Sequence, residues 1–416
     1  MAKLPLENLR VIDLTQVYAG PLASRVLADM GAEVIRVESA FRSSRGGPNP
    51  QQGAVYPDGN PGEKPYNRSA YYNELNRNKH SISLDLSNDQ GKEIFLKLAQ
   101  ISDVVLENFS PRVMANFGLD YPNLEKIKSD IIMVSISAYG QTGPYRDYVS
   151  FGRGIEAMAG LSQTTGYQDS QPLGPGTAYA DATAGLHAVF ATLVALRYRR
   201  QTGKGQHTDL SLRESLSALM GEHIMDHSMN KRSPERKGNH DSAAIFQGCY
   251  RCRGDDSWIT IALHTEDELR AFCNAIGNPQ WTREPELESL LNWRQNQQKA
   301  DMMIEQWTIQ KDRYEAMKIL QQSGVRAGAV LDAADLNRNS HLKGRGFFET
   351  VTHPEAGTHA LAGMPWKLGQ TPGQVRMPAP CFAQHNDYVF AKLLGMSKEE
   401  IAQLEAEGIV TKVPIQ

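Results

Sequence analysis

Leu9-Arg-Val-Ile-Asp-Leu14, then Tyr18-Ala-Gly-Pro21, an apolar-periodic run to Met30, Gly31, and Glu33-Val-Ile-Arg-Val37 read in order as strand, turn, helix and strand. Pro21 stands where a first helical turn tolerates proline, and Gly31 where a helix stops. The alternation recurs in the strand Ser81–Leu86, the helix Gln90–Ala99, the strand Val104–Leu106 and the strand Ile131–Ile136. Strands separated by helical patterns predict a parallel sheet covered by helices, an α/β layer fold.

Farther along, residues 181–200 are apolar and rich in helix formers, which predicts one long, largely buried helix with Asp181 at its start. Arg199–Gln206 reads as a polar, glycine-bearing turn, and Asp209–Met220 as a resumed helix. Asn230–His240 is charged and rich in breakers. A second, smaller α/β or α+β unit is predicted from the strands near Cys249 and Trp258–Leu263, helices to about Gln322 and the strand Ala327–Leu331. The expected division is a large unit at residues 1–225, a small domain at 226–330, and a linker and C-terminal part at 331–416.

The 416 residues exceed what one core usually serves, which fits two unequal domains. A net charge of −3 excludes a global attraction to nucleic acid or an anionic membrane, so an anionic ligand needs a local site. No run of about 18 apolar residues and no signal-peptide pattern is present. Four cysteines are too few for a disulfide framework at this length. A cytoplasmic enzyme is the resulting expectation. Cys249-Tyr-Arg-Cys252 has no second pair or finger-spaced histidines and reads as thiols on a strand.

Several catalytic patterns are missing: GxSxG, a Walker loop, HExxH, and GxGxxG after the first strand. Serine hydrolysis, nucleotide hydrolysis and nicotinamide chemistry lose support accordingly. His223 and His227 share a helical face, but Glu222 precedes the pair instead of following it, so they read as a polar face and no metal site is predicted. Asp181 follows the small-residue run Gly176–Ala180 and opens an apolar helix. From local sequence it is either a helix cap or a carboxylate nucleophile at a helix entrance.

The segments Val11–Pro21, Gly31–Glu38, Asn76–Leu86, Glu107-Asn-Phe-Ser-Pro111, Tyr139-Gly-Gln-Thr-Gly-Pro144, Tyr179–Gly185, Thr202–Gln206 and Ala379-Pro380 with His385 resemble, in the same order, the class III CoA-transferases. That carnitine and bile-acid superfamily also holds formyl-CoA transferase and succinyl-CoA:benzylsuccinate CoA-transferase. The resemblance implies a Rossmann-like domain built from both chain ends, a small middle domain, and an interlocked-ring dimer, either homodimeric or with a homologous subunit. It implies Asp181 as the nucleophile that carries a mixed anhydride and then an aspartyl-CoA thioester, with acyl-CoA and a carboxylic acid as substrates and no permanently bound cofactor. Asn108 and Phe109 fall where the family binds CoA, and the turn Gln16, Val17, Tyr18, Ala19 falls at the thioester mouth.

Arg77, Lys79 and Arg112 are the local candidates for the CoA phosphates, because basic side chains near helix and loop ends supply charge-assisted hydrogen bonds. Tyr139 is a candidate for the acyl pocket. Formyl-CoA transferase has glutamine at the place of Tyr18 and lysine at that of Ser137, so an oxalate-sized substrate is not expected. An aromatic or dicarboxylic acid such as benzylsuccinate, with succinyl-CoA as donor, fits the family's habits. Related racemases carry a histidine base where this chain reads Ser150-Phe-Gly-Arg153, which disfavours racemisation. The family's glycine-rich loop is replaced by Asp241–Gly248, and its C-terminal Leu-Gly-Glu-His by Phe382-Ala-Gln-His385. These departures leave a silent subunit of a heteromeric transferase as the alternative.

Overall fold

Val11 and Ile12, adjacent in the first strand, enter the cores on opposite faces of one sheet, as the two-residue period of a strand requires. In the computed structural model, which describes residues 4–40, 55–240 and 246–415, that sheet has the strands β1 (Arg10–Asp13), β2 (Glu33–Glu38), β3 (Lys79–Ser83), β4 (Val104–Glu107), β5 (Ile132–Ser137) and β6 (Gln206–Ser211). Their spatial order is β3-β2-β1-β4-β5-β6, and every neighbouring pair is parallel. Val11 lies opposite Val34 on one side and Val104 on the other. This is the Rossmann strand order, which reverses direction between β1 and β4.

One face of the sheet is covered by Ala19, Ala23 and Leu27 of α1 (Ala19–Asp29) and by Ala180, Ala184 and Ala188 of the long helix α2 (Tyr179–Thr202). The other receives Ile94, Phe95 and Leu98, together with Val389, Phe390, Ile401 and Leu404 from the C-terminal part. The chain divides into two units. One comprises Met1–Ser162, Gly174–Ser233 and Gly344–Gln416, and the other Gln163–Leu173 with Pro234–Lys343. The divisions lie later than residues 225/226 and 330/331: residue 226 is inside the helix Gly221–Asn230, and two short helices follow the strand that ends at Ala329. The membership of Gln163–Leu173 in the middle unit has no sequence signal.

The middle unit has an antiparallel sheet of β7 (Phe246–Arg251), β8 (Trp258–Leu263) and β9 (Arg326–Ala329). Trp293 is fully buried in its core, edge-on to Phe246 and Phe272 at 5.1 and 5.7 Å, with its indole N–H donated to the Leu287 carbonyl at 2.7 Å. Cys249, Cys252, Cys273 and Cys381 form no disulfide with one another.

Three sequence expectations change. β6 replaces the predicted turn and helix around Gln206–Ser211, because an edge strand alternates polar and buried positions without an apolar run. β3 begins two residues before the expected Ser81, because Lys79 and Ser81 are buried through pairing and not through hydrophobicity. α2 is not largely buried: a stripe of small residues faces the sheet, while Leu186, Phe190 and Val194 are 51, 67 and 48% exposed. It is long and apolar enough to cross a membrane, yet its alanine face is packed on the sheet.

The altered segment Phe382–Asn386 binds the edge strand β3. The Ser81 N–H donates to His385 Nδ1 at 3.1 Å, the His385 N–H to the Ser81 carbonyl at 2.8 Å, and the Ser83 N–H to Asn386 Oδ1 at 3.0 Å. Unpaired strand edges invite association, and His385 here occupies one. Its ring lies 4.6 Å from that of His80, and burial first, then His80, pulls its pKa down to about 4.

Candidate active site

In open α/β sheets a crevice forms at the carboxyl ends of the strands where the strand order reverses. Here the turns after β1 and β4 meet in that place. Asp13, at the end of β1, is fully buried and accepts from the Thr15 N–H and the Ser24 hydroxyl at 2.9 and 2.7 Å. Residues 16–18 then turn sharply, with Val17 at φ 64°, a left-handed conformation that a β-branched residue adopts only under constraint. The constraint is Asn108, next after β4: its Oδ1 accepts the Gln16 N–H and its Nδ2 donates to the Gln16 carbonyl, each at 2.7 Å. Both ends of the Asn108 amide are thus engaged with the turn. Preceding it, Glu107 accepts the Phe109 N–H at 2.8 Å, and burial pushes its pKa up to about 7.

Asp181 arrives from the opposite side. It is the third residue of α2, and the N-cap position belongs to Ala178, which gives no side-chain cap. The helix comes in close: a Cβ on Gly185 would stand 2.7 Å from the Ala19 carbonyl oxygen. A Cβ on Gly152 would stand 2.5 Å from Asp181 Oδ2, so only glycine leaves that oxygen its space. Asp181 as a residue is 9% exposed. Burial raises its pKa to about 6; the nearby backbone N–H groups of Ala19 and of Asp181 itself oppose the rise, and the Glu156 carboxylate adds to it. Such a carboxylate is ionised near neutrality but more basic than an ordinary aspartate.

Asp181, Val17, Ala19, Asn108 and Phe109 line one cavity of about 200 Å³. Tyr18 stands beside it, its ring 6.1 Å from that of Tyr71. Burial raises the pKa of both hydroxyls, and the charge of Asp181 contributes to each shift. Tyr139 is not among the cavity-lining residues. It packs at 5.9 Å on Tyr145 and 6.2 Å on Tyr148, and it is Tyr148 that reaches the cavity. Arg112 is exposed just ahead of the helix Val113–Phe117.

Arg77 and Lys79 are corrected by the structure. The Arg77 guanidinium is fully buried, 2.8 Å from Asp29 through Nη2, with Nη1 on the Ala362 carbonyl at 2.6 Å. Lys79 Nζ is fully buried against Asp13 Oδ2, Ser24 Oγ and Asn76 Oδ1 at 3.0, 2.8 and 2.9 Å. Both charges are spent inside the protein and are withdrawn from phosphate binding; each compensates the charge of a buried carboxylate.

Sequence reading missed Tyr71, Arg146, Tyr148, Gly152 and Glu156. They occupy segments without strong periodicity, and only Phe151-Gly152 fell in a stretch already singled out for its missing histidine. Among the described residues no group of three or more His, Cys, Asp or Glu is placed to hold a metal. Asp226, between His223 and His227, pairs instead with Arg232 and Asn230. Residues 241–245 of the altered glycine-loop segment lie outside the described residues.

Known proteins share this architecture. A solved CAIB/BAIF family protein from Brucella suis superposes with a TM-score of 0.84 at 28% identity, covering 94% of this chain and 99% of the other. A succinyl-CoA–D-citramalate CoA-transferase of Chloroflexus aurantiacus is 31% identical over 98% of both chains. The beta subunit of a succinyl-CoA–L-malate CoA-transferase from the same organism is 30% identical over 98% of both. The model of CoA-transferase family III matches residues 6–386, a span that takes in both turns of the crevice, Asp181 and the segment sealing β3; this chain belongs to CoA-transferase family III.

Proposed function

We propose that the protein transfers coenzyme A from succinyl-CoA to a second, dicarboxylic acid by covalent catalysis on Asp181. The observation that carries this reading is the buried carboxylate of Asp181 lining the switch-point cavity beside Ala19, Asn108 and Phe109. Attack by this carboxylate on the thioester carbonyl forms a mixed anhydride and expels the CoA thiolate. The thiolate then attacks the aspartyl carbonyl, releasing succinate and leaving an aspartyl-CoA thioester. The incoming carboxylate attacks that carbonyl in turn, giving a second anhydride and free thiolate, and the thiolate takes the new acyl group and frees Asp181. No net proton, electron or metal is required, and each step exchanges groups of similar energy.

The names of the Chloroflexus relatives, both succinyl-CoA enzymes with hydroxylated dicarboxylic acceptors, support a four- or five-carbon diacid over the aromatic benzylsuccinate. The cavity lining includes no histidine, which supports transfer over α-proton abstraction. Arg112 remains the candidate for a CoA phosphate. A second copy of the chain covers the exposed apolar side of α2, because an exposed patch of this kind marks an interaction surface. The compartment that fits succinyl-CoA and cysteines without a disulfide is the cytoplasm.

The test is trapping. Protein incubated with succinyl-CoA and quenched with hydroxylamine or borohydride is expected to carry its modification on the peptide containing Asp181, and Asp181→Ala to carry none. A folded wild-type protein that forms no adduct with any thioester would overturn the reading in favour of a silent subunit.

A further inference from the structure

Arg146 is the one cation among the residues lining the Asp181 cavity. The turn that carries it is anchored by its neighbours. Gly140 and Gly143 adopt φ of 92° and 85°, and the Arg146 N–H closes on the Gly143 carbonyl at 3.2 Å. Tyr145 stacks on Tyr148 with centroids 4.8 Å apart, and the Arg213 guanidinium lies 5.5 Å from the Tyr145 ring. The Arg146 side chain is exposed. Among the described residues it has no ion pair, whereas Arg77 and Lys79 are each committed to a buried aspartate.

Arg146 and Asp181 share the cavity without pairing with each other. A cation and a nucleophilic anion held apart in one cavity, whose walls combine the apolar Val17, Phe109 and Phe151 with the polar Asn108, Ser137 and Ser150, suit a ligand that is reactive at one end and anionic at the other. We propose that Arg146 determines acyl specificity by receiving the distal carboxylate of a dicarboxylic acyl group while its thioester carbon faces Asp181. This rests on the transferase reading above. At about 200 Å³ the cavity is below the range that encloses a drug-sized ligand. It takes an acyl chain and not the whole of CoA, whose phosphates are a pantetheine arm away from the sulfur. A guanidinium offers the planar pair of donors that a carboxylate accepts.

The experiment compares succinyl-CoA with butyryl-CoA, the same chain length without the distal carboxylate, in wild type, Arg146→Gln and Arg146→Lys. Binding is read by calorimetry and transfer by kcat/KM. Wild type is expected to prefer succinyl-CoA. Arg146→Gln is expected to weaken succinyl-CoA binding and lower its kcat/KM by roughly 10²-fold with butyryl-CoA unchanged, and Arg146→Lys to recover part of the loss. Equal losses for both thioesters would place Arg146 on CoA itself and overturn the proposal, as would no loss or a wild type without preference. Selective binding without turnover would count against the transferase reading and leave the assignment of Arg146 standing, so the two failures are separable.

Discussion

Glu156 shows how a single buried residue acts on the carboxylate of Asp181. It is fully buried, its Oε1 accepts the Tyr179 N–H at the head of α2 at 3.0 Å, and its Oε2 has no hydrogen-bond partner among the described residues. Its charge adds to the burial that raises Asp181. The sign follows directly: a negative neighbour disfavours the ionised form of Asp181, so removing that charge lowers the pKa of Asp181. In the proposed mechanism Asp181 must be ionised to attack, and kcat/KM is therefore expected to fall with an acid limb near pH 6. In Glu156→Gln, which keeps an acceptor for the Tyr179 N–H, the limb should move to lower pH by roughly half a unit or more. A less basic carboxylate should also be a poorer nucleophile, with a modest drop in kcat. An unmoved acid limb would show that Glu156 serves only to hold the helix start. Asp181 itself was legible as a residue of interest, because it opens an apolar helix and falls on a family motif. Glu156 was not, because a lone glutamate in a short helix carries no sequence signal of burial.

Two loops and one helix terminus build the site. The turn Gln16–Tyr18 holds Val17 at positive φ through the two hydrogen bonds of Asn108. Asn108→Ala would leave the Gln16 N–H and carbonyl without partners, at a cost of about 1–3 kcal/mol. The expected outcome is a loss of ten-fold or more in kcat/KM together with a lowered Tm, since Ala19, which lines the cavity with Asp181, follows directly on that turn. Unchanged kinetics alongside a lowered Tm would mean that the clamp supports the fold but not the site. At this scale β1, α1, β2, β4 and β5 were readable because their apolar residues recur with a clear period. β6 was not, since Gln206-His-Thr-Asp borders solvent at the sheet edge and its backbone pairing with Ile132–Ser137 leaves little mark on composition.

The chain as a whole presents an exposed apolar side on α2, with Phe190 67% exposed at its centre. If a second copy covers it, Phe190→Glu should convert a dimer to monomer in light scattering, with the secondary structure unchanged by circular dichroism. A wild type that is monomeric across micromolar concentrations would remove the partner. The sequence by itself determined the alternation of strands and helices, the order of the family's motifs and the position of Asp181. All of these are local or follow from the order of segments along the chain. Only the tertiary structure decided which charges are available. Arg77 meets Asp29 across 48 positions and Lys79 meets Asp13 across 66, so two cations that read as surface ligands lie inside the protein. Arg146, on a turn without periodicity, shares a cavity with Asp181. Burial and pairing depend on which distant segments fold against a residue, and that information is not carried by its neighbours in sequence.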